Sequence, residues 1–337
     1  MSHTIDVYKG TAKAPKNILD YLLFVSFFPQ LVAGPIMRSR DLLPQIENLK
    51  TPKPSDLYFG LQIILWGLFK KVAVADNLSV YVDAVYSNSS MMSSSSLILA
   101  TYLFAIQIYC DFSGYSDMAV GIGRIFGIKL DWNFNTPYFS QSFNEFWKRW
   151  HITLSSWFRD YIYIPLGGSR VALSRHLLNL TITFLISGLW HGAAWNYIFW
   201  GFLHSIYLIL ENLISRLIKS DRKIASIPHR VAKIFIVFNL TTLAWIFFRS
   251  QSMSQSFSII RGIASFKGSI LIDNILWIST IPLLILIFIE LLKFPLQTDD
   301  FFKKISPFTH FLIMSTLTLT ILLFGADSGA QFIYFKF

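Results

Sequence analysis

Apolar positions in this chain gather into long runs separated by shorter polar stretches. A helix needs roughly 20 mostly apolar residues to cross a membrane. Runs at about 57–75, 97–112, 177–190, 193–214, 231–248 and 272–292 approach or meet that length, and a seventh covers about 308–324. Residues 18–36 are also apolar, but Pro29, Gly34 and Pro35 interrupt them, which predicts a broken or re-entrant element. The predicted fold is all-α: a polytopic transmembrane helical bundle with interfacial and re-entrant helices.

One polar stretch carries its own pattern. Residues 113–176 are too polar to span and too aromatic for an ordinary loop. Phe143, Phe146, Trp147, Trp150, Leu154, Trp157, Phe158 and Tyr161 recur at spacings that define one helical face, with Lys148, Arg149, Ser155 and Arg159 on the other side. This predicts a helix over 143–161 lying at the membrane surface. Its basic side is read either as snorkelling charges or as the holder of a phosphate-rich ligand. His151, on the edge of the apolar stripe, favours the second. Pro165, Gly167 and Gly168 then stop the helix.

Composition agrees with a lipid solvent. The chain is 53% hydrophobic and 14% charged, with a mean hydropathy of +0.50, whereas soluble domains carry about 25% charged residues. The net charge of +10 lies between the apolar runs, as flanking charges do, so nucleic acid is set aside. The basic residues orient the bundle. Residues 76–96 hold none and are placed outside. Arg124, Lys129, Lys148, Arg149, Arg159, Arg170 and Arg175 place 113–176 inside. Arg216, Lys219, Arg222, Lys223, Arg230 and Lys233 do the same for 215–233, and Lys293, Lys303 and Lys304 for 293–307. Residues 249–271 and the C-terminus fall outside. Residues 1–17 are polar and hold no apolar signal-peptide core. The single cysteine, Cys110, excludes a disulfide framework within the chain and any multi-cysteine metal site.

The candidate chemistry lies in "LISGLWHGAAWNYIFWGF", residues 185–202, where His191 interrupts an apolar run. An ionisable group at membrane depth is a functional candidate by default, and burial disfavours its charged form, leaving a neutral base. The plainer alternative is a histidine bonded to a backbone carbonyl. His3, His176, His229 and His310 lie at ends or loops and read as non-catalytic, while for His204, within the 193–214 run, a structural hydrogen bond lining a cavity is the minority alternative left open. Asp111, Ser113 and Asp117 in "CDFSGYSD" suit helix capping or pairing with a base better than a cation, so no metal site is expected. "AVGIGRIFG" follows no strand and predicts no dinucleotide site, and there is no Gly-x-Ser-x-Gly elbow.

The segments "FFPQLVAGPIMRSRDLLPQI", "YCDFSGYSDMAVGIGRIFGI", "NFNTPYFSQSFNEFWKRWHITLSSWFRDYIYIPLGG", "GLWHGAAWNYIFWG", "WIFFRS" and "FIYFKF" together resemble the membrane-bound O-acyltransferase family. The similarity is to the bacterial polysaccharide branch that includes the membrane subunit of alginate O-acetyltransferase, and it runs from about Thr4 to Phe337. It implies a single membrane-embedded domain over 1–337, lacking the spans that usually precede a sequence like "SHTIDVYKG". It implies that His191 is the catalytic base in a channel. His151, 40 residues earlier, stands where the wider family often has Asn or Asp. It also implies acetyl transfer from cytoplasmic acetyl-CoA, with no tightly bound cofactor, toward hydroxyls of an extracytoplasmic polysaccharide such as alginate. Lys148, Arg149 and Arg159 are the candidates for CoA phosphates, and Trp147 and Trp190 for further substrate contacts. The implied setting is the lipid of a bacterial inner membrane, with an extracytoplasmic acetyltransferase partner. Two alternatives stay open: a non-catalytic membrane scaffold, and transfer of D-alanyl or another acyl group to a cell-envelope polymer. A transporter is disfavoured by the few charges within the runs and the lack of a repeat pair.

Overall fold

A hydrocarbon layer offers no partner to a free peptide group, so an apolar run must close its hydrogen bonds within itself. Every long apolar run of this chain is helical. The computed structural model describes residues 2–217, 226–296, 301–326 and 331–333, and among these there is no strand. A short N-terminal group comprises α1 (Ser2–Tyr8), α2 (Ile18–Ser26), α3 (Phe28–Leu31) and α4 (Ser39–Glu47). Then come α5 (Pro54–Leu68), α6 (Asp76–Ser87) and α7 (Ser94–Ile125). The aromatic segment forms α8 (Phe143–Arg149) and α9 (Ile152–Phe158), followed by the hairpin of α10 (Leu173–His191) and α11 (Trp195–Leu217). The remainder is α12 (Ile227–Arg249), α13 (Met253–Ala264), α14 (Asn274–Leu296), α15 (Phe301–Lys304) and α16 (Pro307–Phe324).

Six helices among the described residues are long and apolar enough to cross a membrane: the α5–α6 rod, α7, α11, α12, α14 and α16. The protein is a multi-pass membrane protein. The run at 177–190 is α10, a helix of 19 residues that is less apolar than these six because it buries His176, Asn179, Thr183, Ser187 and His191. The interrupted run at 18–36 breaks at Phe27, between α2 and α3. The nine residues of α2 reach only about 14 Å, half of a hydrocarbon layer about 30 Å thick.

Two spans exceed their predicted length. α5 continues through a π-helical turn, Phe69–Ala75, into α6, and α7 runs for 32 residues. The predicted loop over 76–96 therefore shrinks to residues 88–93. The polar residues that ended the apolar pattern are buried between helices and paired. Lys70 donates to Asp117 at 2.6 Å and to Ser113 at 2.8 Å. Lys71 meets Asp111 at 2.6 Å and Asp76 at 2.8 Å. Buried charges persist only when paired in this way. These pairs give the carboxylates of "CDFSGYSD" the basic partners that their sequence suggested. The predicted outer loop over 249–271 also contains a helix, α13.

Glycines set two close crossings. A Cβ on Gly67 would lie 2.5 Å from the Gly114 carbonyl oxygen, so α5 and α7 touch backbone to backbone. A Cβ on Gly201 would collide with the Phe184 carbonyl, which brings α11 against α10. The second crossing fixes the helix that ends in His191.

The orientation read from Lys and Arg can be tested on exposed positions. Ser90 and Ser174 are both exposed, while the native Cys110 is fully buried. An impermeant thiol reagent is expected to label Ser90→Cys in intact cells and Ser174→Cys only after permeabilisation. The reverse pattern would invert the topology. Lys219, Arg222 and Lys223, and residues 334–337 of "FIYFKF", lie outside the described residues.

Candidate functional site

His151 sits at a break. The helix predicted over 143–161 is two helices, α8 and α9, joined at Trp150 and His151. His151 has φ 40° and ψ 56°, the left-handed region. A non-glycine residue held there costs about 1–3 kcal/mol and persists only where its surroundings enforce it. The loop at 133–136 does so from both sides. Beyond the break, the Asn133 carbonyl accepts the Ile152 N–H at 2.9 Å, and Asn133 Oδ1 accepts the Thr153 hydroxyl at 2.6 Å. Before it, Arg149 donates to the Asn135 carbonyl at 3.1 Å and to Thr136 Oγ1 at 3.2 Å, and its Nε donates to Glu145 at 2.9 Å.

Two expectations are thereby corrected. Arg149 is buried and spent on clamping the break, so it is not a phosphate ligand. The apolar face of the segment does not rest in lipid at the membrane surface, because Phe146, Trp150, Leu154 and Phe158 are buried within the protein. The His151 ring is buried with the edge of Phe112 against it, centroids 4.5 Å apart. Burial holds its pKa well below the ordinary histidine value, and the neighbouring His191 acts in the same direction.

His191 is the last residue of α10. Its ring lies 4.9 Å from that of Trp190, 5.2 Å from Trp200 and 5.1 Å from Phe248, all roughly edge to face. Only 7% of the residue is exposed.

Both histidines line one cavity of about 870 Å³. Along α10 its lining runs through His176, Leu180, Thr183, Phe184, Ser187 and His191, which recur on one helical face. At about 1.5 Å per residue, His176 and His191 stand about 22 Å apart along the axis. Trp147, Lys148 and Arg159 also line the cavity, and Lys148 and Arg159 are exposed. Trp190 does not line it; the residue is 52% exposed, yet its ring touches that of His191 and lies 6.4 Å from that of His151. His204 is fully buried among aromatic rings, its ring nitrogens reach no partner among the described residues, and it does not line the cavity. The hydrogen bond lining a cavity, the alternative left open for His204, is not found among the described residues. His176, Tyr163, Thr183 and Ser187 were missed as lining residues. The signal was present in the sequence, since positions 176, 183, 187 and 191 form a polar stripe at helical spacing inside an apolar run.

Residues 10–252 match the membrane-bound O-acyltransferase family, a stretch that contains the whole cavity and both histidines. The chain belongs to that family. It is 41% identical over 254 residues to a peptidoglycan O-acetyltransferase of Helicobacter pylori, covering 75% of this chain and 48% of that protein. It is 39% identical over 273 residues to "Probable alginate O-acetylase AlgI" of Azotobacter vinelandii, covering 81% and 53%. A teichoic acid D-alanyltransferase of Bacillus subtilis is 30% identical over 222 residues, covering 61% and 55%. The chain thus spans about half the length of these relatives. The family stretch ends just after α12, so α13 to α16 lie beyond it.

Proposed function

We propose that this chain carries the acyl-transfer centre of an O-acetyltransferase, moving an acetyl group from acetyl-CoA to a hydroxyl of an extracytoplasmic polysaccharide. The observation that carries the reading is the convergence of His151 and His191 on one cavity whose lining also includes Lys148 and Arg159. His191 takes the proton of the acceptor hydroxyl as its oxygen attacks the thioester carbonyl. The tetrahedral intermediate collapses, the C–S bond breaks, and the proton passes from His191 to the departing thiolate. His151, neutral at pH 7, offers one N–H to the developing oxyanion. The imidazolium formed at His191 sits at the C-terminus of α10, where the helix dipole favours positive charge by up to about 2 kcal/mol in partly buried geometries.

The donor is a transient substrate rather than a held cofactor. Its arm lies along the polar stripe of α10, with Thr183 and Ser187 beside it and its phosphates near Lys148 and Arg159. The acceptor enters from the far side, past the exposed Trp190. The setting is the lipid of a bacterial inner membrane. The acceptor is a cell-envelope polymer of the kind named in the relatives, alginate or peptidoglycan, reached through an extracytoplasmic acetyltransferase partner. The D-alanyltransferase relative supports a second reading, transfer of an aminoacyl group.

The test is acyl consumption by the chain in lipid vesicles, offered labelled acetyl-CoA or a D-alanyl thioester. Turnover of acetyl-CoA is expected. Turnover of the D-alanyl donor alone would select the second reading, and turnover of neither would favour a scaffold.

A further inference from the structure

Arg159 lines the cavity, yet its side chain is 60% exposed, so packing does not hold the guanidinium in place. Among the described residues one hydrogen bond does: Nε donates to Asp160 Oδ1 at 2.8 Å. The other oxygen of that carboxylate, Oδ2, accepts from Arg38 at 3.1 Å, and the Arg38 side chain is only 8% exposed. Arg38 in turn lies 4.6 Å over the Tyr161 ring, whose hydroxyl donates to the buried Asp6 at 2.6 Å. Arg159, Asp160 and Tyr161 belong to a π-helical turn, Arg159–Tyr163, that follows α9. Such turns insert an extra residue into a helix and are frequent at functional sites.

We propose that Asp160 is a positioning residue for an anionic ligand of Arg159, here the phosphate-bearing end of an acyl-CoA, with Arg38 as the buried post that holds it. With Nε engaged by Asp160, the terminal nitrogens of Arg159 remain for a bidentate contact with a phosphate. The identity of the ligand rests on the acetyl-CoA reading above, whereas the arrangement Arg38–Asp160–Arg159 does not. Two physical effects oppose each other at Asp160. Its negative charge repels a phosphate, so electrostatics alone makes removal of that charge favourable to binding. Its orienting hydrogen bond makes removal unfavourable. The sign of the effect therefore decides which role it has.

The experiment is titration of the chain in lipid nanodiscs with CoA and, separately, with pantetheine, which lacks the phosphates. Asp160→Asn is expected to weaken CoA binding about tenfold, the size of a charge-assisted contact, and to leave pantetheine binding unmoved. Asp160→Glu should restore part of the loss. In an Arg159→Ala background, Asp160→Asn should add nothing, because the residue acts through Arg159. A merely structural role would weaken both ligands and persist in that background, and either result overturns the proposal. So does tighter or unchanged CoA binding in Asp160→Asn, or no CoA binding by the unmutated chain. If CoA binds as described but acetyl-CoA is never turned over, the positioning role stands and the acetyl-transfer reading fails.

Discussion

Replacing His191 with alanine is expected to lower acetyl transfer about 10²–10⁴-fold, the usual contribution of a positioned general base. The rings packed edge to face against it, Trp190, Trp200 and Phe248, cannot act as bases. Alanine also leaves a void in that aromatic box, and voids destabilise. His191→Gln is therefore the companion variant: it keeps polarity and much of the volume but cannot accept and return the proton. Both should lose turnover alike at equal protein level by immunoblot, with release of label from acetyl-CoA as the assay. Near-normal turnover in either would refute the role given to His191.

The second large effect falls on His151, and the choice of substitution follows from its backbone. Glycine adopts the left-handed conformation without strain. His151→Gly therefore removes the imidazole, and with it the N–H donor, with little added strain at the break. Turnover is expected to fall about 10²-fold, as for loss of one oxyanion-type donor, with little change in the donor KM. Combining it with His191→Ala should cost far less than the product of the single losses, because residues acting as a unit are non-additive. A His151→Gly chain with unchanged kcat would remove His151 from the chemistry. The pH dependence adds a check. An ordinary histidine takes up its proton near pH 6.5. Burial lowers the His151 value well below that, so it stays neutral as the pH falls. Protonation of His151 should cause no loss of turnover between pH 7.5 and 6.5.

Part of this site was legible along the chain. His191 stood out because an ionisable ring in an apolar run is costly unless it has a use, and that inference needs no partner. Arg149 was misread because its spacing put it beside Lys148 and Arg159 on one face. What sets it apart is the loop at 133–136, whose carbonyl and hydroxyl it binds. The break at His151 was equally hidden. α9 resumes with its apolar residues at nearly the phase that α8 left, so a 3.6-residue period passes through the kink unchanged. His176 reads as a loop residue in the sequence because its turn of α10 is too polar to look like part of a span.

What the sequence by itself determined is the solvent of each stretch. Runs of apolar residues have no stable place outside lipid or a core, and a helix is the state that satisfies their backbone there. The class of fold, the positions of most helices and the choice of His191 as the candidate for chemistry follow from that. What only the tertiary structure decided is the partner of each polar group. Lys70 meets Asp117, Arg38 meets Asp160 and Asn133 holds Thr153 across 47, 122 and 20 residues of chain. Whether a buried charge is a site or a brace depends on those meetings, since a polar group in a low-dielectric interior is stable only when something answers it.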